Sequence, residues 1–374
     1  MNLQHFSLDP DMIYLNHAAV APWPQETVEA VIQFAQENGS AGAMHYPKWL
    51  KTEAALRNRM AELINAPSSE SIALLKSTSE GLSIVAHGID WRTTDNIVSI
   101  KQEFPSNRIV WQSLESEGVE VRLLDLASVT DPEGALINLC DENTRLMSVS
   151  SVQYADGRRM QLKRLGDFCR EQQILFVVDA IQSLGALPFD VTAIHADVVV
   201  ADGHKWMLGP EGLALFYCTE SLREKLRLHQ YGWHMVEHAG DFDREEWTPA
   251  KNAHRFECGS PNMLGIHGLH ASLGLLLEMG IDKVHRRIAD NCDEIIAQAD
   301  ERDYRLLTPR DPQLRAGIVT FQVRERDNTR IQQQLMEAQV ICASRGGGIR
   351  FSPHFHTTAE QIGLAFRRLD KLLA

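Results

Sequence analysis

Two segments in the middle of the chain, residues 174–183 (ILFVVDAIQS) and 197–210 (DVVVADGHKWMLGP), decide the predicted fold. Each begins with a short run of apolar, mostly branched residues, which is typical of strands that are covered on both faces of a mostly parallel sheet. Asp179 ends the first run, and Lys205 follows the second one. In open α/β sheets, ligands bind beyond the carboxyl ends of the strands. The sequence therefore predicts an α/β protein with its functional site at these two strand ends.

Lys205 has the properties of a nucleophile in this setting. Lysine is seldom fully buried unless it is paired, and desolvation favours its neutral amine. A neutral amine forms Schiff bases with carbonyl groups, and the commonest such carbonyl in amino-acid enzymes is the aldehyde of pyridoxal phosphate. Asp179 would then keep the pyridinium nitrogen of that cofactor protonated. The alternatives are that Lys205 is a surface lysine and that Asp179 caps a helix.

Length and composition restrict the class of protein. A chain of 374 residues is predicted to form two domains, and 44% hydrophobic with 23% charged residues is ordinary for a globular protein. The net charge of −13 argues against nucleic acid or an anionic membrane as the main partner. The sequence has no signal-peptide pattern and no apolar run long enough to span a membrane. The six cysteines are scattered, which is typical of a reducing compartment, so we expect a cytoplasmic protein.

Residues 177–183 and 202–210 together resemble the signature of class V aminotransferases. These are fold-type I pyridoxal phosphate enzymes, and they include cysteine desulfurases, selenocysteine lyases, isopenicillin N epimerases and kynureninase-like proteins. The resemblance extends over nearly the whole chain. It implies that Lys205 is the Schiff-base lysine and that Asp179 is the pyridinium partner. It further implies that Gln182 donates to the phenolate oxygen of the cofactor and that His204 contacts its phosphate.

The resemblance also implies an architecture. We expect a large domain at residues 21–264 with a seven-stranded, mostly parallel sheet that binds pyridoxal phosphate. A smaller α+β domain is expected from residues 1–20 together with 265–374. Members of this family work as homodimers with shared active sites, so a homodimer is expected here.

Two segments are predicted to bind the cofactor phosphate. In residues 72–86 a short strand turns through three hydroxyl residues into an amphipathic helix, and the N-terminus of a helix attracts anions. Taken alone, this segment is better explained as an ordinary helix cap. With the resemblance, Thr78 and Ser79 match the phosphate loop of the family. Ser260 is expected to cap a second helix, with Pro261 at its first position. In relatives this second segment reaches the phosphate held by the other subunit.

Three residues are expected beside the cofactor ring. Phe104 stands where cysteine desulfurases carry a histidine that stacks on the ring; a phenylalanine stacks but cannot carry protons. The alternative is that Phe104 is a core residue. Ser151 and Gln153 follow a predicted strand, at positions where relatives place residues beside the ring.

The substrate is expected to bind between the two ends of the chain. Asn16 and His17 lie in a segment that runs along the active-site mouth in the family, although a surface turn is the alternative for His17. Arg350 follows three glycines and matches the arginine that binds the α-carboxylate of the substrate in relatives. A salt bridge to a nearby acid is the alternative for Arg350.

Some features are absent from the sequence. Desulfurases carry a nucleophilic cysteine on the loop before this arginine, but the segment 345–350 (RGGGIR) contains none, and Cys342 reads as a core thiol. The absence of this loop cysteine disfavours sulfur mobilisation.

His267 and His270 lie three apart on a predicted helix without a third ligand at matching spacing, so no metal site is predicted.

The predicted enzyme acts on an amino acid. Arg350 would orient the carboxylate, and Lys205 would act as a general base on the Cα proton. Transamination with a keto acid is the default activity of the family. The alternatives are elimination, C–S lysis or epimerisation by the same residues, or a non-catalytic protein that keeps the fold. The side chain of the substrate is not predicted.

Overall fold

The computed structural model describes residues 5–374. In this part of the chain the α-helices are α1 (Gln25–Ala41), α2 (Tyr46–Leu63), α3 (Thr78–Gly88), α4 (Ser106–Gln112), α5 (Pro132–Asn138), α6 (Leu162–Gln172), α7 (Glu220–Arg223), α8 (Met263–Met279), α9 (Ile281–Glu301), α10 (Asn328–Glu337) and α11 (Ala359–Leu373). The strands are β1 (Ile13–Tyr14), β2 (Ile72–Leu75), β3 (Asn96–Ile100), β4 (Glu120–Leu124), β5 (Thr144–Ser150), β6 (Leu175–Asp179), β7 (Val198–Asp202), β8 (Ala214–Cys218), β9 (Arg305–Leu306), β10 (Val319–Gln322), β11 (Val340–Ile341), β12 (Ala343–Arg345) and β13 (Gly348–Phe351).

The central sheet has seven strands in the order β2-β8-β7-β6-β5-β3-β4. The pairs from β7 to β4 are parallel, and β8 is antiparallel to both of its neighbours. The predicted seven-stranded, mostly parallel sheet is therefore confirmed. Because β6 and β7 are adjacent and parallel, Asp179 and the segment after Asp202 meet at one edge of the sheet.

Both faces of the sheet are covered, as the apolar strand sequences predict. Val178 and Val199 lie in one apolar cluster, which includes residues of α2 and α8. Their neighbours Val177 and Val200 point the other way, into a second cluster that includes residues of α3 and α4. Each fully buried valine contributes roughly 1.5–3 kcal/mol to the free energy of folding. Successive side chains of β6 and β7 enter one apolar cluster and then the other, and for this reason neither strand has a polar face.

A glycine allows the segment after β6 to lie against the segment that carries the lysine. Gly185 has a φ of +95°, in the left-handed region that favours glycine. A Cβ atom built at this position would stand 2.2 Å from the carbonyl oxygen of Trp206. Any side chain at residue 185 would therefore push apart the two segments that carry Gln182 and Lys205.

The C-terminal part of the chain forms a second, antiparallel sheet in the order β12-β13-β10-β9. The N-terminal strand β1 pairs with β11, so the start of the chain packs against this part. The expected domain boundary at residue 264 falls in the first turn of α8, which packs against α1 and α2. We therefore propose the same two-domain division with its boundary moved to Gly280, between α8 and α9.

Within residues 5–374, no single helix is both long and apolar enough to cross a membrane. By length and composition, only α8 and α9 taken together would pass, and the pair is bent by 84° at the break.

Candidate active site

Lys205 lies in the turn after β7 and is 7% exposed. Burial lowers the pKa of its amine to about 8; the nearby Asp179 carboxylate opposes this shift, and the positive charge of Arg350 adds to it. The centroid of the Phe104 ring lies 5.4 Å from Nζ. With this pKa roughly a tenth of the amine is neutral at pH 7, far more than for an exposed lysine, and the neutral amine is the form that attacks carbonyl groups.

Lys205 opens into a cavity of about 280 Å³ at the carboxyl edge of the central sheet. Seven of the predicted site residues line this cavity together: Thr78, Phe104, Asp179, Gln182, His204, Lys205 and Arg350. The cavity has the size and concave shape of a small-molecule site. A larger cavity of about 590 Å³ has a different lining, which includes none of Asp179, Asp202 and Lys205.

Asp179 is the last residue of β6 and is 2% exposed. Its Oδ1 accepts a hydrogen bond from the backbone N–H of Ile181 at 3.0 Å. Burial raises the pKa of this carboxyl to about 7; the nearby Glu103 adds to the shift, and Lys205 opposes it. A cation placed against Asp179 would hold the carboxylate in its charged form.

Gln182 is held by both ends of its amide. Nε2 donates to the carbonyl oxygen of Ala18 at 3.1 Å, and Oε1 accepts from the indole N–H of Trp206 at 2.8 Å. These bonds fix the orientation of the amide and leave one N–H of Nε2 for a ligand. Because Gln182 lines the cavity, it can donate to an oxygen bound there.

Thr78 begins α3 and joins this helix to the end of β7. Its backbone N–H donates to Oδ2 of Asp202 at 3.0 Å, and the backbone N–H of Asp202 donates to Oγ1 of Thr78 at 3.1 Å. Ser77 caps the helix by accepting from the backbone N–H of Glu80. Ser79 is exposed, donates to the hydroxyl of Ser106 at 2.8 Å, and lines the larger cavity instead of the Lys205 cavity.

His204 borders the cavity beside Lys205. Its Nδ1 is buried without a hydrogen-bond partner and lies 3.9 Å from Oδ1 of Asp202. Burial lowers the pKa of this imidazole, against the opposing effect of the Asp202 carboxylate. A buried ring nitrogen without a hydrogen-bond partner is costly. A ligand that formed a hydrogen bond with Nδ1 of His204 would remove this cost and would therefore bind more tightly.

Arg350 lies on β13 and is 1% exposed. Its Nη1 donates to the carbonyl oxygen of Tyr154 at 2.7 Å, and its Nη2 donates to Oδ1 of Asn16 at 3.4 Å. Nε is buried without a partner. Burial lowers the pKa of the guanidinium to about 9, and the positive charge of Arg345 adds to the shift. Its hydrogen-bond partners are neutral oxygens, and among residues 5–374 no acid forms the salt bridge considered as an alternative role.

Asn16 and His17 occupy different surroundings. Asn16 reaches the site through its contact with Arg350, although it does not itself line the cavity. His17 is fully buried behind the cavity, where its Nδ1 donates to the carbonyl oxygen of Ser352 at 2.9 Å. The surface turn considered for His17 is therefore wrong. Its ring centroid lies 5.2 Å from that of His354 and 5.0 Å from that of His356.

Burial lowers the pKa of His17 to about 4, although its hydrogen bond to Ser352 opposes the shift. In the unfolded chain a histidine takes up its proton near pH 6.5. The folded protein binds fewer protons between these values, so its stability decreases as the pH falls from 6.5 to 4. We expect His17 alone to remove about 2 kcal/mol of unfolding free energy between pH 7 and pH 5.

Urea unfolding of the wild type and of His17→Asn at several pH values measures this loss. The asparagine amide can still donate to Ser352, while it carries no titrating group. The two stability curves should converge as the pH falls, with His354 and His356 unchanged in both proteins. Parallel curves would mean that His17 is not the group that couples stability to pH.

Ser151 and Gln153 lie behind the cavity wall and do not line it. The hydroxyl of Ser151 donates to the carbonyl oxygen of Asp179 at 3.1 Å and lies 2.6 Å from that of Ser183. Gln153 donates to Oε1 of the buried Glu103 at 3.1 Å. Both side chains therefore support the strand ends around Asp179, and their placement beside the cofactor ring stays a prediction.

Ser260 also lies away from the Lys205 cavity, on an exposed loop before α8. The expectation that it caps this helix is wrong, because the helix begins at Met263 and Asn262 is the cap. The side chain of Asn262 accepts a hydrogen bond from the backbone N–H of Gly265 at 3.0 Å. Ser260 and Asn262 are both residues that commonly cap helices, and this helix is capped by Asn262.

The structure adds residues that sequence reasoning missed. Tyr154 lines the cavity and holds Arg350 through its carbonyl oxygen, a contact that carries no sequence signal. Asp202 ends β7 within the quoted motif, so its position could have been found from the pattern that identified Asp179. Arg345 lines the cavity from the start of the glycine-rich turn and places a second positive charge near Arg350.

A buried lysine beyond β7, a buried carboxylate at the end of β6 and a guanidinium without an acidic partner define a pyridoxal phosphate site on an α/β sheet. The sequence model of the family described as "Aminotransferase class-V" matches residues 13–363. The chain belongs to this family of fold-type I enzymes, and pyridoxal phosphate is its cofactor.

Individual relatives agree with this assignment. A probable cysteine desulfurase from Methanothermobacter thermautotrophicus is 32% identical, over 97% of this chain and 95% of that protein. The uncharacterized aminotransferase YcbU from Bacillus subtilis is 30% identical, over 83% of this chain and 81% of that protein. A solved complex of the cystine C-S lyase C-DES with cysteine persulfide is similar with a TM-score of 0.88, 25% identity and coverage of 96% of this chain and 97% of that chain.

Proposed function

We propose that this enzyme binds a small α-amino acid by its carboxylate through Arg350, removes the Cα proton with Lys205, and transfers the amino group to a keto acid. The observation that carries this proposal is the buried guanidinium of Arg350, which has neutral partners and an unused Nε. A carboxylate would supply the negatively charged partner that the guanidinium of Arg350 lacks, through charge-assisted hydrogen bonds.

The residues that line the cavity fit the cofactor. We propose that the amine of Lys205 holds its aldehyde, Asp179 its ring nitrogen, Gln182 its phenolate oxygen, and the start of α3 at Thr78 with His204 its phosphate. Four of these residues offer an unused group: an amine with a lowered pKa, a buried carboxylate, a free amide N–H and an orphan ring nitrogen. Thr78 contributes only its place at the N-terminus of α3, because its backbone N–H is bonded to Asp202. When bound, pyridoxal phosphate supplies an electron sink for the Cα carbanion.

Lys205 carries the proton chemistry in this proposal. Its depressed pKa suits a general base, because an amine with a pKa near 8 is partly free at neutral pH and still accepts protons. Transamination needs a base that removes the proton from Cα and later returns it to another carbon, and Lys205 would act as this base. Phe104 stands over this amine and has no titrating group, so it supplies no second base.

The test of this function is a panel of L-amino acids added one at a time to the purified holoenzyme, without a keto acid. We expect one amino acid to convert the cofactor stably to its amine form, as seen in the visible spectrum, with one equivalent of keto acid released. A subsequent keto acid should restore the first spectrum. Release of ammonia with catalytic turnover would overturn transamination in favour of elimination.

C–S cleavage of a cysteine-type substrate is the second candidate, since it fits the names of the relatives. No cysteine of the described chain lines the cavity. Cys342, the cysteine nearest in sequence to Arg350, is 2% exposed, and burial raises the pKa of its thiol to about 12. Such a thiol is not a nucleophile at neutral pH. Sulfur would therefore leave with the product and would not be carried on the enzyme.

We also propose that the active enzyme is a homodimer in which Ser260 of one subunit contacts the phosphate bound by the other. Its support is the position of Ser260 on an exposed loop, away from the Lys205 cavity of its own chain. The six free cysteines are compatible with the cytoplasm, which we propose as the location of this enzyme.

A subunit-mixing experiment tests the shared site. Lys205→Ala and Ser260→Glu are each expected to be inactive alone, the latter because a carboxylate repels the phosphate. When the two are unfolded together and refolded, random pairing should restore about one quarter of the wild-type sites, because each mixed dimer has one intact site. No recovery, with mixed dimers present by mass, would contradict a site shared between subunits.

A further inference from the structure

A second cluster of ligand-type side chains lies outside the amino-acid site, where α2 meets two short turns. It consists of Glu53 on α2, His234 in the turn Trp233–Met235 and His254 in the turn Ala253–Phe256. One ligand atom of each side chain lies within 4.8 Å of those of the other two. The cluster borders a separate cavity of about 300 Å³, which gives room for an ion and a water molecule.

The spacing of the two imidazoles suits a shared ion. Nε2 of His254 lies 3.1 Å from Nδ1 and 3.2 Å from Nε2 of His234, with the rings nearly perpendicular. Tetrahedral ligands at the Zn–N distance of about 2.0–2.1 Å stand roughly 3.4 Å apart. The two rings are therefore already near the separation that a shared zinc ion imposes.

Glu53 supplies an unused acceptor. It is 4% exposed, and its Oε1 accepts from the guanidinium of Arg57, while its Oε2 is buried without a partner in the described part of the chain. A buried carboxylate oxygen that accepts nothing is costly, and a cation within reach would remove that cost. Arg57 also binds Glu257 through two hydrogen bonds of 2.6 and 2.9 Å. When both imidazoles are neutral, the guanidinium of Arg57 and the carboxylates of Glu53 and Glu257 together carry a net charge of −1.

We propose that Glu53, His234 and His254 bind a divalent transition-metal ion of the zinc type. Two imidazoles and one carboxylate are ligands that such ions prefer, and a water molecule from the adjoining cavity completes four-coordination. Neither the spacing of His267 and His270 nor any other sequence pattern predicted this site, because its three ligands come from distant parts of the chain.

The ion would act on the segment between the two histidines, residues 236–252, which we call the acidic segment. This segment is exposed to solvent: Phe242 is 77% exposed and Trp247 is 55% exposed. Its base is tied by backbone bonds, from Glu237 N–H to the oxygen of Thr248 at 3.0 Å and from Ala250 N–H to that of Met235 at 2.9 Å. Because His234 and His254 flank the segment, an ion between them closes its base and anchors it to α2.

Zinc binding to the full-length holoenzyme tests the proposal. The enzyme is first freed of metal with a chelator and dialysed, and Zn²⁺ binding is then measured by equilibrium dialysis with elemental analysis. We expect one tight site per chain in the wild type and in His238→Gln, a control that removes an exposed histidine of the same segment. His254→Gln should weaken this site by about 100-fold.

Tryptic cleavage after Arg244 reports the effect on the acidic segment. Zn²⁺ should slow this cleavage in the wild type and in His238→Gln, and should leave its rate unchanged in His254→Gln. Equal zinc affinity of the wild type and His254→Gln would overturn the site, and an unchanged cleavage rate in zinc-loaded wild type would overturn the anchoring. If His254→Gln fails to retain the visible cofactor spectrum, His234→Asn replaces it as the test variant.

Discussion

Replacing Lys205 with alanine is expected to lower turnover of the amino-acid substrate by about 10²–10⁴-fold, because general-base catalysis of this kind contributes a factor in that range. The same substitution removes the amine that attacks the aldehyde. Asp179, Gln182 and the start of α3 remain, so cofactor binding should persist without a covalent bond to the protein. Steady-state kinetics and the visible spectrum of Lys205→Ala measure the two effects separately.

The control for this variant is Lys371→Ala, which removes an exposed lysine of α11 and should behave as the wild type. A small primary amine added to Lys205→Ala should restore part of the activity, because it can accept the Cα proton in place of the side chain. Retention of full activity by Lys205→Ala would show that the base is another group.

Replacing Arg350 with glutamine is expected to lower kcat/KM by about 10²–10⁴-fold, because two hydrogen bonds to a charged group are lost at roughly 1.5–3 kcal/mol each. The loss should appear mainly in KM, since the carboxylate is bound alike before and during the reaction. Kinetics of the variant with the amino acid identified by the spectral panel measure this effect.

A substrate analogue without a carboxylate provides the control. The amine that corresponds to the decarboxylated amino acid should react slowly with the wild type, and Arg350→Gln should react with it at the same rate. If the variant lost as much activity with this amine as with the amino acid, Arg350 would be supporting the fold or the cofactor and not the substrate carboxylate.

The sequence predicted most where the signal is local. The strands β6 and β7 are short apolar runs that end in Asp179 and Asp202, and parallel strands bring such ends to one edge. The sequence alone therefore assigns the lysine that follows β7 to the site. Phe104, Gln182 and His204 followed from the family resemblance, and the structure brings all of them to the same cavity.

Contacts between distant parts of the chain were not predictable in the same way. The guanidinium of Arg350 is held by a backbone oxygen 196 residues earlier and by Asn16, 334 residues earlier. His17 was expected at the mouth of the site, but its neighbours His354 and His356 come from the C-terminal part, and they enclose it. No periodicity in the sequence encodes such an encounter.

The position of the second capping segment shows a different limit. In the run Gly259-Ser-Pro-Asn262 both Ser260 and Asn262 are good caps, and a proline after a cap favours the first of them. The helix begins two residues later than a cap at Ser260 would place it, because the side chain of Asn262 accepts a hydrogen bond from the backbone N–H of Gly265. Local preference alone did not distinguish the two starts.

Borohydride reduction of the purified holoenzyme, followed by tryptic digestion and mass spectrometry, tests most directly whether this cavity is the catalytic site. Reduction turns the bond between cofactor and lysine into a stable secondary amine. We predict that the cofactor mass is found on the peptide that contains Lys205. A cofactor found on a different lysine, with the Lys205 peptide unmodified, would contradict the account.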